Sequence, residues 1–150
     1  MRKRKKKAKS LRSLKDKAWG LFSEYVRRKD ADGDGYTSCY TSEVRAHWKT
    51  LQCGHAIGGR HNAVLFDESI CRPQTVRENV FLRGNYPVFT TKLIKENGME
   101  WWEKKLAGSR EAVKITRSDY EGIIESYKTK LDCMNCERWP ANCQKCYEQR

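Results

Sequence analysis

The stretch Gln52-Cys53-Gly54-His55-Ala56-Ile57-Gly58-Gly59-Arg60-His61-Asn62 sets two histidines in a glycine-rich run. Glycine at three of these positions disfavours a continuous helix, because each loses about 1 kcal/mol there relative to alanine. On either side, Tyr36-Thr37-Ser38-Cys39-Tyr40 and Ala63-Val64-Leu65-Phe66 read as short strands, dense in β-branched and aromatic side chains. A lone Gly-His pair in such a loop is by default a surface feature. Its meaning has to come from what surrounds it.

Outward from that centre the chain turns helical. Leu11, Leu14, Ala18, Leu21, Phe22, Tyr25 and Val26 follow the spacing of an amphipathic helix, with Trp19 widening its apolar face. Arg27, Arg28 and Lys29 suit the negative end of the helix dipole. The run Asp30-Ala31-Asp32-Gly33-Asp34-Gly35 then stops it. Those residues resemble the first half of a calcium-binding EF-hand loop, but the twelfth position is Thr41 where a bidentate acid is needed, so a turn is expected. After Pro73 a helix is predicted from Gln74 to Leu82, ended by Arg83-Gly84. A second is predicted from Pro87 to Asn97 with Gly98 as its stop, and a third is built on Trp101 and Trp102 and ends near Gly108. Thr116 opens a last helix with Asp119 three residues on, a capping-box pair. Ile123, Ile124, Tyr127 and Leu131 carry its apolar face.

Charge points to a polyanionic partner. The 150-residue chain carries a formal +12. Arg2, Lys3, Arg4, Lys5, Lys6, Lys7, Lys9, Arg12, Lys15 and Lys17 face only Asp16, so this arm holds most of the excess. Such a run repels itself when free, and on a nucleic acid it releases counterions from several phosphates. No apolar face accompanies it, which argues against a membrane surface, and no stretch approaches the ~18 apolar residues of a span. The basic start is not followed by the apolar region of a secretory signal, so a cytoplasmic protein with reduced cysteines is expected. There are seven cysteines, an odd number. Cys133-x-x-Cys136 and Cys143-x-x-Cys146 have the paired spacing of a four-thiolate site, from which a structural Zn2+ is expected. The segment is too poor in apolar residues to fold without it.

With these parts in order, a resemblance emerges. The basic amphipathic helix is followed by the Asp34-Gly35-Tyr36 turn, Cys39, Gly54-His55-Ala56-Ile57-x-Gly59-Arg60 and Phe66-x-Glu68. Gln74, Asn79, Gly84-Asn85, Leu93-Ile94-x-x-x-Gly98 and the Thr116 helix complete the pattern. Over residues 10 to 131 this order resembles the NinG (Rap) family of lambdoid phages. The resemblance implies an α+β fold: a small ββα-metal (HNH-like) finger flanked by helices. To it we add a C-terminal zinc knuckle or ribbon-like module. The expected division is a disordered basic arm (1–10), an HNH-like nuclease domain (11–131) and the four-cysteine zinc module (132–150).

The implied activity is that of a metal-dependent, structure-selective DNA endonuclease in phage recombination. It would act on branched DNA such as a Holliday junction, inside the bacterial host, and a two-fold junction would suit a homodimer. The resemblance assigns His55 as the base that activates water and Asn79 as the last metal-side position. A Mg2+ or Mn2+ ion would take up charge on the leaving oxygen. Arg60 suits the phosphate. Glu68, with Asp67, is a candidate to ligate the cation or hold the imidazole.

Two departures stand out. The family pattern implies four thiolates clamping a zinc around the finger, whereas here those positions are Cys39, Ser42, Thr75 and Glu78. The asparagine that orients the histidine falls at Ser69-Ile70. Two replacements for the clamp are open: a rearranged site of Cys39, Cys53 and Cys71 with His47 or His61, or metal-free packing of Trp48, Phe66 and Phe81. The second is preferred. Two other functions are kept: a catalytically inactive DNA-binding accessory protein, and an RNA- or ribosome-associated zinc protein. The latter is weakened by the lack of RRM and KH signatures.

Overall fold

The computed structural model describes residues 8–59 and 61–135. Their α-helices and β-strands are, in order, α1 (Leu11–Arg28), β1 (Tyr36–Ser38), β2 (Arg45–His47), β3 (Gln52–His55), α2 (Asn62–Leu65), β4 (Cys71–Gln74), α3 (Tyr86–Asn97), α4 (Met99–Ser109) and α5 (Arg117–Met134), with short helical turns between some of them. The fold is α+β. Its strands make two separate antiparallel pairs, β1 with β2 and β3 with β4.

By compactness the chain divides in two. One unit joins the described residues up to Phe22 with those from Ile115 onward, and the other is Ser23–Lys114. In the first, α1 starts at Ser10, whose hydroxyl accepts from the Ser13 amide. Leu14, Ala18 and Phe22 recur at helical spacing on its buried face. Phe22 meets Tyr127 of α5 edge-on, with ring centroids 5.1 Å apart. As expected, α5 is opened by a full capping box: Thr116 accepts from the Asp119 amide, and Asp119 accepts from the Thr116 backbone.

The second unit carries the finger. The acidic run after α1 is a turn built on Asp32, whose carboxylate accepts from the amides of Asp34 and Tyr36 and pairs with Arg45. The predicted strand at Tyr36 is present but ends at Ser38. The predicted strand over Ala63–Phe66 is instead the single helical turn α2, in which the His61 carbonyl accepts from the amides of Val64 and Leu65. Burial of both Val64 and Leu65 against the core replaces the alternation a strand would need.

The helix predicted from Gln74 to Leu82 is present in part: it starts later and is π-type, Arg77–Phe81. Gln74 closes β4 opposite Gln52, and the wide π-type turn follows. Tertiary bonds override the local preference, since Gln74 is fully buried and its amide donates to Thr41 Oγ1 and to the Gly84 carbonyl. Beyond it, α3 starts with Pro87 in its first turn and stops at Gly98, and α4 follows at once with Trp102 buried. Phe89 and Leu93 of α3 are wholly inaccessible.

No helix among the described residues is long and apolar enough to cross a membrane.

Candidate active site

Hairpin β3–β4 and the wide turn after it give the strand–strand–helix order of a small finger. His55 is the last residue of β3, paired with Cys71, the first of β4. Its side chain is only 7% exposed. The glycine before it has a steric reason. A side chain at Gly54 would run into Gln74, which lies across that position on its way to Thr41 and Gly84.

The imidazole is held by the end of α2. His55 Nε2 lies 3.2 Å from the Leu65 carbonyl oxygen. A carbonyl only accepts, so Nε2 carries the proton and donates. A helix end leaves its last carbonyls without helical partners, and here one of them is used to fix a histidine tautomer. In the neutral ring Nδ1 is then the basic nitrogen. The orientation expected from an asparagine near Ser69-Ile70 is thus supplied by main chain, four residues earlier.

Around this centre the other expected residues are placed as follows. Asn79, in the wide turn, is half-buried and donates from Nδ2 to Gln52 Oε1 at 2.7 Å. That bond fixes the amide's rotation and turns Oδ1, the atom a cation would take, to the other side. Gln52 and His55 stand three positions apart on β3, so their side chains leave opposite faces of the strand. The strand by itself therefore does not bring Asn79 against the imidazole.

Glu68 lies in the turn that feeds β4 and is half-buried. Asp67 is fully engaged: it accepts from the Ser69 amide and pairs with Lys105 at 2.7 Å. Burial works against ionising Asp67, but the Lys105 and Ser69 bonds outweigh it and hold its carboxyl below the ordinary range. A cleft of about 640 Å³ opens beside the loop after β3, lined by Ile57, Gly58, His61, Asn62, Arg110 and Glu111 among others.

Neither account of the missing clamp holds. A rearranged site is not assembled: the Cys53 and Cys71 thiols hydrogen-bond to each other, which with burial raises Cys71 far above its usual value, while Cys39 lies elsewhere with Thr41 and Thr75. His47 packs against Tyr36 and Trp48 instead. Among the described residues no group of three or more His, Cys, Asp or Glu is placed to hold one ion. Packing by Trp48, Phe66 and Phe81 fails on Phe81, which is 76% exposed.

What fastens the finger is hydrogen bonding at the clamp positions themselves. The buried Cys39 sulfur accepts from the Thr75 amide at 3.3 Å and contacts Thr41 Oγ1 at 3.6 Å. Thr75 Oγ1 in turn accepts from the Glu78 amide. Burial alone would raise the Cys39 thiol, but bonds from Ser42, Thr75 and Thr41 together leave it below its ordinary value. Sequence reasoning missed this cluster because hydroxyls have no recognisable ligand spacing.

A family model described as bacteriophage lambda NinG protein matches residues 1–137. The chain belongs to the NinG family. No curated protein and no solved structure matches it. The NinG match covers the arm, the finger and the described residues of both compact units. It reaches Cys133 and Cys136 but not Cys143 or Cys146. Cys133 is buried near the end of α5, whereas Cys136, Cys143 and Cys146 lie outside the described residues. So do Arg60 and the arm residues Arg2, Lys3, Arg4, Lys5, Lys6 and Lys7. Lys9 and Arg12 are described and exposed.

Proposed function

We propose that this NinG-family chain is a DNA-binding recombination protein whose finger hydrolyses a phosphodiester in branched DNA. The observation that carries the proposal is the bond from His55 Nε2 to the Leu65 carbonyl, which orients the imidazole at the end of β3 and sets its tautomer. A neutral imidazole is the side chain best suited to take a proton from water.

DNA as the polyanion is supported by the basic arm. On the finger's own unit Lys49 is exposed beside Trp48, while Arg28 and Arg45 are paired with Glu24 and Asp32. Oxygen donors of Glu68 and Asn79 are the type a Mg2+ or Mn2+ ion takes, and such an ion supplies charge stabilisation of the leaving oxygen when bound. Arg60 is assigned to the phosphate, and Cys133, Cys136, Cys143 and Cys146, an all-thiolate set, to a structural Zn2+.

The test is cleavage of a labelled four-way junction with Mg2+ or Mn2+, read beside junction binding. His55→Ala is expected to abolish cleavage and keep binding, and full cleavage by that variant removes His55 from the chemistry. A second reading, DNA binding without hydrolysis, is favoured by the low exposure of His55 and by the Gln52 hold on Asn79. It predicts binding with no cleavage in either ion.

A further inference from the structure

The segment between β4 and α3 presents its apolar residues to solvent. Val76, Val80, Phe81, Leu82 and Tyr86 are 42%, 52%, 76%, 46% and 40% exposed. The charged residues among them divide by sign. Arg77 and Arg83 are exposed, whereas Glu78, the only acid from Val76 to Tyr86, is buried. The outward surface of this segment is thus apolar and cationic, with no anion on it.

This projection is held firmly from behind. Leu82 donates back to the Arg77 carbonyl and Gly84 to the Glu78 carbonyl, which gives the turn its wide pitch. The Glu78 carboxylate accepts from Asn85 Nδ2 at 2.6 Å, and the Gly84 carbonyl accepts from buried Gln74. Arg83, Gly84 and Asn85 in succession have left-handed backbone, with φ of 50°, 91° and 45°. Two of these are not glycine, so the surrounding bonds impose the conformation. Strained backbone and π-type turns concentrate at functional positions. Here both serve to keep an aromatic side chain out of the core.

We propose that Phe81, with Leu82 beside it, is a wedge that enters an opened base step of DNA while Arg77 and Arg83 bind the flanking phosphates. This rests on the DNA-binding reading above and adds the structural feature recognised. An apolar wedge that enters a stacked duplex has to part a base step, at a cost of about a few kcal/mol. At a branch point the stack is already interrupted, so that cost is largely absent and the wedge favours the branch over plain duplex. The paired arginines without an exposed acid favour a polyanion over a second copy of the chain, which would bring the same arginines together.

The experiment uses the full-length protein and a four-way junction carrying 2-aminopurine beside the branch, with the same label inside a plain duplex as control. Wild type is expected to raise the junction fluorescence several-fold and leave the duplex signal unchanged. Phe81→Ala is expected to abolish the rise while duplex affinity stays within about twofold, since a lost wedge leaves phosphate contacts in place. Phe81→Leu is expected to restore part of it. Junction binding by wild type with no fluorescence change overturns the wedge and leaves DNA binding standing. Binding to neither DNA at about 0.1 M salt removes the DNA-binding reading itself. A Phe81→Ala change that alters sedimentation but not the 2-aminopurine signal overturns the wedge in favour of self-association.

Discussion

Replacing Gly54 by alanine should unfasten the hairpin that carries His55. The new Cβ would overlap Gln74 Oε1 and come within 2.7 Å of its Cδ and 3.0 Å of its Cγ. Rotating away is not free for Gln74. It is wholly buried, and its Nε2 holds Thr41 Oγ1 at 3.0 Å and the Gly84 carbonyl at 2.9 Å. Losing two buried hydrogen bonds costs about 1 kcal/mol each, and overpacking adds about 1–3 kcal/mol. The sum is about 3–5 kcal/mol, a large share of what a domain has in total. With a urea m-value of about 1.5 kcal/mol/M, the unfolding midpoint should fall by about 2–3 M. Gly54→Ala combined with Gln74→Ala separates the clash from the lost bonds. Because the double variant has no clash, Gly54→Ala should cost much less in that background, a coupling of at least about 1 kcal/mol. A single variant within about 0.5 kcal/mol of wild type would refute the claim that Gln74 is why this histidine is preceded by glycine.

Three further outcomes follow from the same geometry. Cys39→Ala removes the acceptor of the Thr75 amide and should cost about 2–3 kcal/mol in urea, whereas Cys39→Ser keeps an acceptor and should cost visibly less. Thr116→Ala removes the cap of α5 and should cost about 1 kcal/mol, seen as faster amide exchange in its first turn. The lowered carboxyls of Asp32, Glu43, Asp67 and Asp119 bind protons less readily folded than unfolded. Their stabilisation is therefore complete above the ordinary carboxylate pKa and is lost as acid is added below about pH 4, so melting temperature should fall there. Asp67→Asn should flatten that acid limb. An unchanged slope would mean the Lys105 pair contributes nothing.

The long helices were legible because their apolar spacing and caps are local. Leu11 to Val26, the Pro87–Gly98 pair and the Thr116–Asp119 box each state their element without help from the rest of the chain. The finger was not legible in the same way. Gln52-Cys53-Gly54-His55 and Cys71-Arg72-Pro73-Gln74 contain glycine, proline and amides, which disfavour strands, and they pair only because distant groups complete them. Tyr40, for one, donates to the Pro73 carbonyl. The expectation for Phe81 failed for a different reason: a phenylalanine is assumed to be inside. A signal was present, since Val80-Phe81-Leu82 places three apolar residues on successive helical positions, which no single buried face can accept.

At the positions where the resemblance implies a zinc clamp, this chain is joined by hydrogen bonds. The family resemblance puts Cys39, Ser42, Thr75 and Glu78 at one place, and the structure gathers Ser42, Thr75 and Thr41 around the Cys39 sulfur, with Glu78 tied to Thr75. A metal would join these turns through four strong bonds. Here one sulfur joins them through several weak ones, all short in reach and all internal. Gln74 links this cluster to Gly84, and Glu78 links it to Asn85, so the turn that projects Phe81 is anchored through the same residues. Weakening Cys39 should therefore loosen the Phe81 turn before it disturbs α5. Amide exchange comparing Arg83–Asn85 with the α5 helix in Cys39→Ala can detect that order, and the reverse order would break the proposed mechanical link.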